Sequence, residues 1–186
     1  KLGQHSAATI IFTRRSWLWA PIGGAASLPH TLMKNITSPL FAILTVVAAS
    51  SASAQIEIGS SGFCSGVANS TGNPSVITAF GSTVVSQNDV TLSVSSLPPS
   101  SLGYFMVGPA PGAVFNPGGS TGTLCISGAI GRYAGNVINT GATGEASASV
   151  DLTSLPSPVG NVAVLPEDDW VFQFWHRDTS PSGPTS

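Results

Sequence analysis

From Gln55 onward, apolar residues come in short alternating runs, and no other feature of the sequence constrains the fold as strongly. In the run Val90–Ser95, three apolar residues alternate with Thr and Ser, which is typical of a strand with one buried face and one wet face. Turn signals such as Asn116–Gly119 separate the runs. The predicted strands are Ser75–Phe80, Val90–Ser95, Leu102–Val107, Thr123–Ile126, Ala146–Leu152, Asn161–Leu165 and Trp170–Arg177.

This pattern predicts the class of fold. Several short strands without a sustained helical period favour two packed antiparallel sheets over a parallel α/β sheet. The composition agrees, because only 8% of the residues are charged and 21 are glycine. We therefore expect residues 55–186 to form a single all-β domain, an antiparallel β-sandwich of immunoglobulin-like or jelly-roll-like type.

Residues 33–54 have the three parts of a secretory signal peptide. Lys34 supplies the positive start, Leu40–Ala49 is an apolar run, and small residues precede a predicted cleavage between Ala54 and Gln55. The apolar run is shorter than the roughly 20 residues that a membrane-spanning helix needs. The alternative is a buried helix, but the sequence favours export.

Residues 1–32 show no steady hydrophobic period. We interpret them as upstream sequence translated in error, with Met33 as the true start. The alternative is an unusually long positive region of the same signal.

The charges divide unevenly along the chain. Of the six basic residues only Arg132 and Arg177 lie beyond residue 55, whereas all eight acidic residues do, so segment 55–186 carries a net charge of −6 with His176 neutral. A nucleic-acid surface needs basic clusters, and so does adhesion to anionic lipid. We expect neither partner, and no membrane span in the mature chain.

Cys64 and Cys125 are the only cysteines. An even pair in an exported chain predicts one disulfide. The alternatives are two free thiols or half of a metal site, which the single histidine of the segment cannot complete. We expect no metal and no cofactor.

Two short motifs have letters that occur in catalytic or metal-binding sites. Gly118–Gly122 matches the letters of the G-x-S-x-G nucleophile elbow, in which a strand precedes the serine and a helix follows. Here a turn precedes Ser120 and a predicted strand follows, so we interpret the motif as a loop; a hydrolase would also have to recruit His176 as its base.

The acidic run Glu167–Asp169 lacks the spaced oxygens of a calcium loop and is interpreted as a solvated turn. We predict no catalytic residues.

The run DDWVFQFWHRD (168–178) is the strongest candidate for a binding surface. In a strand, one face would be aromatic core and the other would carry Gln173, Trp175 and Arg177. An exposed indole beside hydrogen-bonding groups suits stacking on sugar rings. The alternative, which we favour, is that Trp175 packs inside a second layer. The expected partners are extracellular polysaccharide or other envelope proteins.

Three segments of the sequence resemble an uncharacterised β-sandwich module that recurs in secreted proteins of environmental bacteria. They are NDVTLSVSSLPPSSLGYFMVG (88–108), NPGGSTGTLCISGAIGRY (116–133) and DWVFQFWHRD (169–178).

The resemblance covers roughly Phe63 to Asp178, and Cys64 and Cys125 stand where that family carries its cysteine pair. It implies a non-catalytic module that is secreted or held at the cell envelope, with no established ligand. Family members continue past the position of Ser186 into a last strand. We therefore expect this chain to be a fragment whose domain lacks that strand.

Overall fold

A computed structural model of the protein describes residues 3–12, 56–60, 64 and 66–178, with residues 3–12 and 60 described by their backbone alone. These residues belong to one compact unit. The predicted signal peptide 33–54, its cleavage site after Ala54 and residues 13–32 lie outside the described residues.

The described part of the chain is built of strands, joined by turns and two three-residue 3-10 turns. The strands are β1 Gly3–Phe12, β2 Glu57–Ser60, β3 Val76–Gly81, β4 Val90–Ser95, β5 Leu102–Gly108, β6 Ala110–Phe115, β7 Thr123–Ser127, β8 Gly131–Arg132, β9 Ile138–Asn139, β10 Ala146–Val150 and β11 Trp170–Asp178. No helix in this part of the chain is long and apolar enough to cross a membrane. The prediction of a β fold for the segment after residue 55 is confirmed for its described residues.

The strands form two sheets and a hairpin, and every pairing is antiparallel. The first sheet has the order β1-β11-β5-β8, with β9 also paired to β5. The second sheet has the order β10-β4-β3-β2, and β6 pairs only with β7.

The main core draws on both sheets. In β4 the burial alternates as predicted, with its three apolar residues at most 2% exposed. The first sheet contributes Phe105 and Phe174, whose rings meet edge to face with centroids 4.8 Å apart. The four β11 residues that we expected on the core face are all buried: Trp170, Phe172, Phe174 and His176.

A smaller cluster lies on the opposite face of the first sheet. Ile126 of β7 packs there with Met106, Val171 and Trp175. The β6–β7 hairpin therefore covers part of this face, and Trp175 packs inside a second layer.

The predicted disulfide forms between Cys64 and Cys125, with Cα atoms 6.1 Å apart and a sequence separation of 61 residues. It ties β7 of the hairpin to the segment between β2 and β3. The alternatives of free thiols and of a half metal site are excluded.

Several elements differ from the sequence prediction. Strands β2, β6, β8 and β9 are absent from the predicted set. The strand predicted over Asn161–Leu165 is wrong, because this segment forms an isolated bridge from Val162 to Leu155 and no ladder. Its other backbone hydrogen bonds belong to turns, from Val164 N–H to the Leu152 carbonyl and from Asp168 N–H to the Leu165 carbonyl. In addition, β1 forms a ten-residue strand in the segment where we found no period, and it pairs with β11.

One polar cluster joins the turn before β4 to the turn after β10. Asn88 lies in the left-handed region with φ 47°. Its amide oxygen accepts from Leu152 N–H at 2.6 Å, and its amide nitrogen donates to Asp151 at 3.0 Å. The Asp151 carboxylate also accepts from the hydroxyl and the N–H of Thr153, at 2.7 and 2.9 Å. These hydrogen bonds, those from Thr153 first and that from Asn88 next, hold the pKa of Asp151 below its ordinary value of 3.8.

This cluster makes stability depend on pH in acid. Because the folded pKa of Asp151 is lowered, its charge stabilises the fold above the unfolded pKa, and that contribution is lost as pH falls through the folded pKa. We expect Asp151→Ala to melt at a lower temperature than the wild type at about pH 6, and the gap to narrow below about pH 4. The matched control is Glu145→Ala, a change at another exposed acid. A gap that stays constant from neutral to acid pH would contradict the assignment.

Candidate functional site

The face of the first sheet opposite the main core is the candidate site, and we call it the outer face. Tyr104 of β5 lies directly opposite Trp175 of β11, and Met106 lies between Gln173 of β11 and Arg132 of β8. Directly opposed residues of antiparallel strands share a face, and so do alternate residues of one strand. The outer face therefore carries Tyr104, Met106, Arg132, Gln173, Trp175 and Arg177.

Two adjoining clefts open along this face. The first has a volume of about 290 Å³ and the second about 260 Å³. Tyr104 and Trp175 line both clefts, so these two side chains separate them. The hairpin contributes Leu124 and the turn residues Pro117 and Gly118 to the second cleft. The outer face is thus a shallow, partly aromatic surface bordered by the hairpin.

Both arginines of segment 55–186 lie at these clefts. Arg177 lines the first and Arg132 lines the second, and both are exposed. Among the described residues, no aspartate or glutamate lines either cleft. The outer face is therefore locally positive in a segment that is acidic as a whole.

Gln173, one of the three predicted ligand-binding residues, is instead part of the interior. It is fully buried. Its amide oxygen accepts from Cys125 N–H at 2.9 Å, and its amide nitrogen donates to the Thr123 carbonyl at 2.8 Å. The side chain thus joins β11 to β7 as a backbone peptide group would, and it is not available to a ligand.

Trp175 and Arg177 lie together at the first cleft, but the indole is not an exposed platform. Trp175 is only 6% exposed, although it lines both clefts. Tyr104, which sequence reasoning missed, is half-buried and lies opposite it. The only signal that could have identified Tyr104 was the strand register, and a single sequence does not define that register.

The serine and histidine that a hydrolase would require are not in contact. The Ser120 hydroxyl is buried and has no hydrogen-bond partner among the described residues, so it does not reach His176. A 3-10 turn precedes Ser120 and β7 follows it, whereas a nucleophile elbow needs a strand before and a helix after. His176 lies near the end of β11 and is 1% exposed.

Within residues 56–60, 64 and 66–178, no three His, Cys, Asp or Glu side chains are grouped closely enough to hold a metal ion. This range includes the acidic turn Glu167–Asp169. Asp168 accepts instead from Leu165 N–H at 2.8 Å, which closes the turn before β11.

No protein-family model, curated protein or solved structure matches the chain.

Proposed function

We propose that the protein is an exported, non-catalytic interaction module, built as an antiparallel β-sandwich, that contacts an extracellular or envelope partner through its outer face. The observation that carries this proposal is the position of Tyr104, Arg132 and Arg177 around two shallow clefts. The proposed export rests on the signal-like sequence at 33–54.

The shape of the outer face favours a large ligand. Pockets that enclose small molecules have volumes of roughly 300–1,000 Å³, and both clefts lie at the lower limit of that range. Two adjoining shallow clefts, each with an aromatic wall and a cation, suit an extended chain that passes over both. The side chains suited to contact are accessible here, whereas Gln173 and His176 are buried.

A second candidate is carbohydrate binding, and the shared Tyr104–Trp175 boundary favours it. Aromatic rings with polar neighbours stack on sugar faces, and successive clefts would hold successive sugar units. The tyrosine would then be the main contact, because the indole is nearly covered.

Affinity electrophoresis tests both candidates on the full chain, in native gels cast with neutral or acidic polysaccharides. We expect at least one polymer to retard the wild type and both Tyr104→Ala and Arg177→Gln to weaken that binding about tenfold, which corresponds to about 1.4 kcal/mol. Glu145→Gln, at an exposed site outside the outer face, is the matched control. If no polymer retards the chain, the carbohydrate candidate fails. A second binding measurement uses isolated envelope material. If the wild type and Tyr104→Ala bind it with equal affinity, the outer face is not an interaction surface.

A further inference from the structure

A third cleft extends the outer face beyond the two clefts described above. It has a volume of about 270 Å³, and its described lining consists of residues 98–101, Leu102, Arg177 and Asp178. Leu102 and Arg177 also line the first cleft, just as Tyr104 and Trp175 line both the first and the second. The three clefts therefore follow one another in the order second, first, third, and we call them together the groove. Its described lining residues all lie between positions 98 and 178, so none of them belongs to residues 1–54.

The groove carries two cations at widely separated points. Arg132 lines the second cleft, and Arg177 lines both the first and the third. Arg132 is aligned with Gln173 through Met106, and Arg177 lies further along β11. The two arginines are about 13 Å apart along the strands and about 10 Å apart across them, which separates their Cα atoms by roughly 16 Å. Both side chains are exposed, and neither forms an ion pair with another described residue.

Asp178 is the one acid in the described lining of the groove, and its carboxylate is engaged inside the protein. It is 4% exposed and accepts a hydrogen bond from Ser70 N–H at 2.6 Å. Because Asp178 follows Arg177 in β11, the two side chains leave opposite faces of the strand. The groove therefore presents positive charge to solvent, although segment 55–186 carries a net charge of −6.

Between the two arginines the groove is apolar and aromatic. Leu102 and Val137 line the first cleft, and both are exposed. Tyr104 separates this cleft from the second. Aromatic and apolar side chains pack on the C–H faces of sugar rings, whereas guanidinium groups bind carboxylates. This order of contacts fits a chain of mostly uncharged sugars that carries carboxylates at intervals.

An extended peptide fits the groove less well. The groove lies on the face of the first sheet, where β5 is paired with β11 from Gly103–His176 to Gly108–Val171. Peptides that bind a sheet as an added strand use the unpaired backbone groups of an edge. On the face of the sheet, the N–H and C=O groups of a peptide would be covered without backbone partners. A sugar chain has no such backbone groups to satisfy.

We propose that the groove binds a sparsely charged acidic polysaccharide, a linear chain of mostly neutral sugars with a carboxylate every few units. The inference rests on the proposed function, because it names the partner of the same outer face. A polymer with a carboxylate on every sugar is disfavoured, since the groove offers only the cations of Arg132 and Arg177. Its remaining charges would be repelled by the acidic segment.

The first test varies the charge on fixed sugar backbones. A soluble β-glucan, a glucomannan and a galactan are each used unmodified, with a small fraction of their primary hydroxyls oxidised to carboxylates, and with most of them oxidised. Affinity electrophoresis of the full chain gives the dissociation constants. We expect a sparsely oxidised form to bind about tenfold more tightly than its parent for one arginine contact and up to about a hundredfold for both. The heavily oxidised form should bind no more tightly. If no sparsely oxidised polymer binds more tightly than its parent, the proposal is overturned.

The second test removes the two cations. Arg132→Gln and Arg177→Gln should each weaken binding of the sparsely oxidised form about tenfold, and binding of the parent less than about threefold. The double variant should bind both forms equally. Gln87→Glu changes the net charge by the same amount at an exposed site outside the groove, so it is the matched control and should keep the preference. Unchanged urea midpoints show that the variants fold. A preference that survives in the double variant would overturn the proposal.

Salt separates the charged contacts from the apolar ones. Between about 0.01 M and about 1 M NaCl the screening length falls from about 30 Å to about 3 Å. The sparsely oxidised form should then lose most of its advantage over the parent polymer. Tyr104→Ala should weaken both forms at either salt concentration, because its contact is with the sugar rings. An advantage that is unchanged in about 1 M NaCl would contradict a role of the arginines.

Failure of the proposed function gives a different result. If the wild type and Tyr104→Ala bind isolated envelope material equally, the outer face is not an interaction surface and both proposals fall. If Tyr104→Ala weakens that binding but no oxidised polymer gains affinity, the outer face binds a partner and only the acidic polysaccharide is wrong. Polyglutamate serves as an acidic peptide. If it binds the groove more tightly than every oxidised polymer, the partner is a protein and the polysaccharide is again wrong.

Discussion

Replacing Gln173 by leucine is expected to lower the free energy of unfolding by about 4 kcal/mol. Leucine has nearly the volume of glutamine, so no large cavity forms. The Cys125 N–H and the Thr123 carbonyl, however, both lose their partner inside the protein. Each buried backbone group left unpaired costs about 1–3 kcal/mol. The loss is a large part of the 5–15 kcal/mol that a domain of this size has.

Urea unfolding followed by tryptophan fluorescence measures the change. Gln87→Leu, at an exposed glutamine, is the matched control and should stay within about 0.5 kcal/mol of the wild type. Gln173→Glu separates the two hydrogen bonds, because the carboxylate still accepts from Cys125 N–H but cannot donate to Thr123. Its protonated form can donate, so this variant should gain stability as pH falls, in contrast to the wild type. A loss below about 1 kcal/mol for Gln173→Leu would mean that β7 does not depend on this amide.

The different outcomes for Gln173 and for the strands show what a single sequence can specify. Alternation in Val90–Ser95 predicted both the strand bounds and the buried residues, because the period of two follows directly from strand geometry. The same rule placed Gln173 and Trp175 on one face of β11. It did not show what covers that face, since the covering strands are distant in sequence.

The sequence analysis did not predict the hairpin strand β6. This omission contributed to the wrong placement of Gln173 on a binding surface. Its sequence APGAVF contains Pro111 and Gly112, which mark breaks in a single-sequence reading. In the structure the register between β6 and β7 shifts between Pro111 and Val114, so the irregularity is accommodated in a two-stranded ribbon. The strand that covers Gln173 is β7, which the sequence predicts, but without its hairpin partner β6 the sequence did not show that β7 lies over β11, and Gln173 was assigned to a surface.

Asn161–Leu165 shows the converse error. Its apolar residues alternate, as they do in a strand, yet Val162 and Val164 bond to the turn region after β10 and Leu165 bonds to Asp168 in the next turn. Val164 is only 5% exposed, so the alternation reflects the burial of this side chain although no neighbouring strand pairs along the segment. Alternation reports which side chains are buried, whereas a strand also needs a neighbour along its whole length.

Replacing both cysteines by alanine is expected to cost about 4 kcal/mol. In the chain-entropy model, a crosslink that closes a loop of this size restricts the unfolded chain by roughly that amount. The separation of 61 residues between Cys64 and Cys125 sets the loop. Position 125 keeps its backbone N–H in the variant, so the hydrogen bond to Gln173 is retained and the loss reports mainly on the crosslink.

The slope of the urea transition distinguishes this mechanism from a loss of native contacts. If the crosslink acts on the unfolded chain, its removal lets that chain expand, and the dependence of the unfolding free energy on urea should steepen. Reduction of the wild type should reproduce both the lower midpoint and the steeper slope. A lower midpoint with an unchanged slope would place the effect in the folded state. The disulfide would then act, as the Gln173 amide does, by holding the β6–β7 hairpin against the outer face.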